Sequence, residues 1–256
     1  MKMKSVNITS SSNSVRIGAC QLPDIRKDID NCSRWIEDHA NMAQQDGIAL
    51  LCFPECFLQG YLTDLESASR HALDLGSTAF QALLNRLAIF DPTLVIGLIE
   101  SDRGKLYNTA AVISHGELLG RYRKCHLLAS ESIFTAGDAY PIFETNGLKF
   151  GINICYDTNF PVASASFAGQ GAGVVLCPAN NMLPHPIAEK WKHRHHDIRR
   201  QRAMENGLWL ISADVTGTRD HCISYGPTSA INPKGEIVSQ VPLGKTGIIA
   251  VDVPLS

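Results

Sequence analysis

No stretch of the 256-residue chain approaches the roughly 18 uninterrupted apolar residues of a membrane-spanning helix, which excludes that element. The opening run MKMKSVNITSSSNS is polar and lacks the apolar segment that a secretory signal needs, so the cytoplasm is the expected compartment and residues 1–13 are expected to form a disordered tail. Charge of one sign is also lacking. With 23 basic against 25 acidic residues and a net charge of -2, the chain has no global field to recruit nucleic acid or an anionic membrane. Low-complexity segments, linkers and short-period repeats are absent too, and residues 14–256 read as one folded domain. The eight cysteines, at 20, 32, 52, 56, 125, 155, 177 and 222, are scattered and sit mostly in apolar runs. Cys52 and Cys56 have no second Cys or His pair at zinc spacing, so buried free thiols are expected, with neither a disulfide framework nor a metal.

What is present is a regular alternation of element signals. VRIGACQL (15–22) reads as a strand, followed by a helix with Ile29, Cys32, Ile36 and Ala40 on one face. ALLCFPE (49–55) is apolar throughout, as in a strand buried on both faces, and the helix of Phe80, Leu83, Leu84 and Leu87 leads to the strand TLVIGLIE (93–100). Residues 107–122 read as a hairpin turning at His115-Gly116-Glu117. Strand, helix and strand signals follow at 149–154, 160–168 and 173–178, then a long helix over 187–205, a strand at 208–215, a hairpin around Asn232-Pro233-Lys234-Gly235 and a last strand at 248–253. Alternation with added hairpins predicts an α/β protein with mixed sheets covered by helices.

Three residues stand where chemistry could be done. Glu55 ends an apolar strand just past a proline, where a carboxylate acquires a raised pKa suited to a base; an exposed loop glutamate is the plain alternative. Lys124, in GRYRKCHLL, enters an otherwise apolar stretch, and an ammonium away from water needs an anion, although Arg121 and Arg123 also allow a solvated face. Cys155, in GINICYDTNFP, sits at a strand-to-helix turn where a thiol can project and following N–H groups can stabilise an oxyanion; a buried structural cysteine is equally compatible.

FPECFLQGY, YRKCHL and ICYDTNFP, in this order, resemble the three signature segments of the nitrilase (carbon-nitrogen hydrolase) superfamily. Tyr107-Asn108-Thr109-Ala110, Phe134-Thr135-Ala136-Gly137-Asp138 and Arg202-Ala203-Met204-Glu205-Asn206 extend the likeness over nearly the whole of 15–253. The resemblance implies a four-layer α-β-β-α sandwich with two mixed sheets, and a Glu55, Lys124, Cys155 triad that needs no cofactor. Implied with it is hydrolysis of a small linear amide or N-carbamoyl compound through a thioester on Cys155. Glu55 would be the base, and Lys124 with the Tyr156 N–H would hold the oxyanion. It further implies a second glutamate between lysine and cysteine, which Glu131 matches, although Ala136 stands where a proline is usual.

Amidase relatives with acidic substrates often carry an arginine where this chain has Asn159 and a glutamate where it has Val162, which leans the expected substrate towards a neutral or amine-bearing one. Expected substrate contacts are Tyr61, Tyr156, Asn159 and Asn180, in or beside loops after the strands. The short segment after the last strand lacks the tail that helps larger relatives form spirals, so a homodimer is expected. A nitrilase with the same triad, or a silent binding protein on the same fold, are the alternatives. The basic helix EKWKHRHHDIRRQRAME could suggest phosphate contacts or a metal at His193, His195 and His196, but Glu189, Asp197 and Glu205 interrupt it, as on a solvated face.

Overall fold

Both faces of the short central strands are covered, and that explains their composition. β2 (Leu50–Cys52) and β8 (Val174–Pro178) are buried at every residue, so neither shows the polar alternation of a half-exposed strand. The computed structural model describes residues 13–255. The expected tail lies outside them apart from Asn13, whose carbonyl accepts from the Leu255 N–H at 2.9 Å.

The first sheet is built on β1 (Ser14–Pro23), with β2 parallel on one edge and β14 (Gly247–Pro254) antiparallel on the other. β3 (Thr93–Asp102) adds parallel to β2, and the hairpin of β4 (Lys105–Ser114) and β5 (Glu117–Arg123) completes it. The second sheet runs β6 (Phe143–Thr145), β7 (Leu148–Ile152), β8, β10 (Trp209–Arg219), β12 (Ser229–Ile231) and β13 (Ile237–Gln240), with β7, β8 and β10 parallel. A short parallel pairing of Gln21, Leu22 and Pro23 with Asp214, Val215 and Thr216 ties the sheets together.

Side-chain alternation sorts the layers. Val15, Ile17, Ala19, Leu50, Cys52, Val95 and Val112 of the first sheet share one core with Phe150, Ile152, Val174, Leu176, Ile211 and Ala213 of the second. Their neighbours Cys20, Leu51, Leu94, Ile96 and Ala111 face the other way and pack on α1 (Ile29–Gln45) and on α3 (Thr78–Leu87), which follows the short α2 (Leu65–His71). Cys177, Leu210 and Ile231 face outward from the second sheet onto Ala203 of α6 (Arg194–Asn206). Gly151 leaves room there for Phe167 of α4 (Pro161–Gly169), since a Cβ on it would stand 2.3 Å from the ring. The result is an α-β-β-α sandwich, as the family resemblance implies. Side-chain caps start α1 and α3: Asp28 accepts from the Asn31 N–H at 3.0 Å and Ser77 from the Phe80 N–H at 3.2 Å.

One expected element is different. The single helix over 187–205 is two, α5 (His185–Trp191) and α6, separated at Lys192 and His193. No proline or glycine marks the break. Its cause is what lies beneath: α5 rests on the small ladder of β9 (Leu183–Pro184) and β11 (Cys222–Ser224), whereas α6 rests on β10. That ladder, made of two very short strands, has no apolar periodicity from which to predict it.

The parallel strands β2, β7 and β8 deliver Glu55, Cys155 and Asn180 just beyond their C-terminal ends, the end at which open α/β sheets bind ligands. Gly97, in the middle of β3, lets the Glu55 loop approach: a Cβ there would lie 2.2 Å from the Pro54 carbonyl oxygen and 2.6 Å from the Cys56 nitrogen. Overpacking of this kind costs about 1–3 kcal/mol, or roughly 3–10 °C in Tm for a domain of this size. Gly97→Ala is therefore expected to melt lower by that amount in calorimetry, whereas Gly169→Ala, with open space around its Cβ, leaves Tm within about 2 °C.

Candidate active site

A lysine buried to 1 % exposure forces the arrangement around it. The Lys124 ammonium donates to Glu55 Oε1 at 2.7 Å and to Glu131 Oε1 at 2.8 Å, and both carboxylates are as buried as the lysine. Asn108, on β4, donates from one amide nitrogen to the same two oxygens, at 2.8 and 3.1 Å. Backbone donors complete the shell: Asn180 N–H reaches Glu55 Oε2 at 3.0 Å and Leu128 N–H reaches Glu131 Oε2 at 2.7 Å. Lys124 itself is held at both ends of its peptide, its N–H donating to the Asn108 carbonyl and its carbonyl accepting from Gly137 N–H, each at 2.8 Å.

The electrostatics follow from burial and from two acids sharing one cation. Burial raises the Glu55 pKa above the ordinary carboxylate range, Lys124 opposes that, and Glu131 adds to it by repulsion. Burial alone would lower the Lys124 ammonium, but Glu55, Cys155 and Glu131 together outweigh it and hold its pKa above the usual lysine value. The lysine therefore stays charged, while Glu55 is poised to take up a proton.

Cys155 follows β7 on the first residue of a 3-10 turn (Cys155–Asn159) that runs into α4 through Pro161. Its φ of 45° lies in the left-handed region, an uncommon and strained setting for a non-glycine residue. Thr158 Oγ1 donates to the Cys155 carbonyl at 2.8 Å and holds the turn. Burial, then the Glu55 charge, push the Cys155 thiol pKa well up, with Lys124 acting the other way. Burial and the Glu55 charge both favour the protonated thiol over the thiolate.

Asp157 joins the cysteine turn to the lysine segment. It is fully buried and accepts four hydrogen bonds: Ile154 N–H at 3.0 Å, Tyr122 O–H at 2.8 Å, His126 N–H at 2.8 Å and His126 Nδ1 at 3.0 Å. Tyr122 and His126 flank Lys124 by two residues on either side. The His126 ring lies flat on Phe160, with centroids 3.8 Å apart. Asp157 thereby sets the distance between Lys124 and Cys155.

A cavity of about 230 Å³ opens on Cys155 and is lined by Tyr156, Asn159, Asn181, Leu183 and residues of α5 and α6. Of the expected substrate contacts, Tyr156 and Asn159 line it. Tyr61 packs with Cys56, Leu62 and Phe134 at the back of the site, and its hydroxyl pKa is raised by burial and then by Glu55 and Glu131. Asn180 gives its backbone N–H to Glu55 and turns its side chain to Asp24 Oδ1 at 3.3 Å. Asn108, Asp157 and Asn181 were not singled out from the sequence. A polar residue breaking the apolar strand KLYNTAAVIS marks Asn108, and a buried acid in LWLISADV marks Asp214, which fixes Asn181. Among the described residues no cluster of three His, Cys, Asp or Glu could hold a metal ion; in the basic helix, His196 pairs with Ser229 and His195 stands beside Trp191.

The family model for carbon-nitrogen hydrolases matches residues 16–256. Among curated proteins, the chain is 32% identical to an (R)-stereoselective amidase of a Pseudomonas species, over 74% of this chain and 67% of the relative. It is 30% identical to the omega-amidase NIT2-B of Xenopus laevis, over 83% and 79% of the two chains. Among solved structures, it superposes on an amidase of Nesterenkonia AN1 from the nitrilase superfamily with a TM-score of 0.81 and 25% identity, over 94% of this chain and 90% of that one. A nitrilase-superfamily protein of Saccharomyces cerevisiae gives the same score, identity and coverage. With the family model matched over nearly its whole length and with its sandwich fold, the chain belongs to the carbon-nitrogen hydrolase family.

Proposed function

We propose that the protein hydrolyses a small linear amide or N-carbamoyl compound through a thioester on Cys155. The observation that carries this reading is the Lys124 ammonium shared by Glu55 and Glu131 below a strained cysteine that faces a cavity. Glu55 takes the thiol proton as the Cys155 sulfur attacks the substrate carbonyl. Charge develops on the carbonyl oxygen, where Lys124 and the Tyr156 N–H oppose it. The C–N bond breaks as Glu55 returns the proton to the leaving nitrogen, and ammonia or an amine departs. Water then adds to the thioester with Glu55 again as base, and the acid and the free thiol are released. Glu131 and Asn108 take no proton in this scheme; they hold Lys124 and Glu55 in register.

A panel of simple amides and N-carbamoyl amines with ammonia release as readout tests the reaction, with intact mass as the second measurement. Cys155→Ala is expected to lose at least about 10³-fold in kcat/KM, as for removal of a nucleophile, and to show no acyl adduct. Glu55→Gln, which cannot accept the proton, is expected to fall by about 10²–10⁴-fold. Unchanged turnover in Cys155→Ala overturns the proposal.

The pH profile gives an independent check. A base acts only when ionised, so kcat/KM falls as pH drops through the Glu55 pKa, and that limb is expected above the ordinary carboxylate range because burial and Glu131 both raise it. Glu131→Gln removes the repulsive charge and is expected to move the limb to lower pH, with a loss of kcat because Lys124 loses one of its two anchors. An acid limb that stays in place in Glu131→Gln contradicts the assignment of Glu55 as the base.

A further inference from the structure

We infer that this site takes a neutral amide whose acyl group is bulky and apolar, and that it discriminates against an amide carrying a second carboxylate. The inference rests on the amidase reading above and concerns the cavity in front of Cys155. Leu128, Leu183, Ile187, Trp191 and Ile198 supply most of its wall, and burying an apolar acyl group against them removes its surface from water.

Most of the polar side chains that line the cavity are already committed. Arg199 is its one guanidinium, but its Nη1 donates to Ser212 Oγ at 3.0 Å and to the Pro227 carbonyl at 2.6 Å, and its Nη2 lies 3.6 Å from Asp214 Oδ2. At 3 % exposure it serves the interior, and rotating it to a substrate carboxylate would leave Asp214 buried without its cation. His195, beside Trp191, is held neutral, its pKa lowered to about 3 by burial and then by Arg199. Asn181 is fixed the other way round from a carboxylate binder. Its amide nitrogen and its backbone N–H both donate to the Asp214 carboxylate, which accepts only, so its Oδ1 is the atom left towards Cys155, 4.0 Å from the sulfur. An acceptor at that point welcomes a substrate N–H and repels an anion. Asn159 spends an amide N–H on the Tyr156 carbonyl at 3.3 Å.

Two measurements test this, one without turnover. Cys155→Ala keeps the cavity walls, and in calorimetry it is expected to bind 4-methylpentanamide at least about tenfold tighter than succinamate, its near-isostere with a carboxylate, because an unpaired charge is costly among apolar groups. With the wild-type enzyme, kcat/KM is expected to climb about fourfold for each CH2 added from propionamide to pentanamide, the factor for one buried methylene. Trp191→Ala is expected to flatten that climb, and Ile187→Arg, at an exposed rim position, to raise succinamate turnover relative to 4-methylpentanamide. Equal or tighter binding of succinamate by Cys155→Ala overturns the inference while leaving the reaction standing. Absence of turnover on every amide, with binding still favouring the apolar ligand, overturns the reaction and leaves the pocket chemistry supported.

Discussion

Everything at the reacting end of this molecule depends on the burial of one ammonium. Lys124 is buried at 1 % exposure, and an isolated charge in such a place would cost several kcal/mol. Two carboxylates answer it, and they come from different parts of the chain, one beyond β2 and one in the turn after β5. Since two acids share one cation, the cluster carries an excess of negative charge in a dry place. That excess is relieved most easily by a proton on a carboxylate, which is the capacity a general base needs. Burial and the second carboxylate thus raise the Glu55 pKa, and the contact with Lys124 holds it back.

A second buried acid does for geometry what the first pair does for charge. Asp157 accepts from Tyr122, His126 and Ile154, so the segments that carry Lys124 and Cys155 cannot move independently. A third, Asp214, is raised in pKa by burial and offset by Arg199 and Asn181, and it orients the Asn181 amide beside the sulfur. Each of these acids sits where three or more donors converge, and buried networks hold their shape only when they are satisfied in this way.

How far this was legible in the sequence differs by kind of residue. The apolar runs at Leu50 and Val174 marked strands covered on both faces, because such a strand has to be apolar throughout, whereas the four-layer order came from the family resemblance. Glu55 and Lys124 announced themselves as charges in apolar surroundings. Asp157, four residues before Pro161, looked like ordinary turn chemistry; its four donors come from up to 35 positions away, and no local pattern encodes such a convergence. Asn180 and Asn181 show the limit most plainly. Adjacent and identical in type, they differ because the peptide leaving β8 gives one N–H to Glu55 and the next to Asp214, a distinction that exists only after both sheets are assembled. The break between α5 and α6 is of the same origin, since its cause is the β9 and β11 ladder underneath.

The division of labour between elements bears on what can vary. The groups assigned to bond making and breaking stand on strand ends and on the turns tied to them, inside the satisfied networks. The cavity wall opposite comes from β9, α5 and α6; α5 rests on the small ladder, and α6 is tied down through His196 and Arg199. A substitution at Ile187, Trp191 or Ile198 changes the shape offered to an acyl group without touching a hydrogen bond of the Lys124 cluster. Arg199 is the exception, because it reaches from that wall into the Asp214 network. It is therefore the residue through which a change in the pocket would be felt near the sulfur: with its guanidinium drawn to a ligand, Asp214 keeps only the Asn181 and Val215 donors against its buried charge.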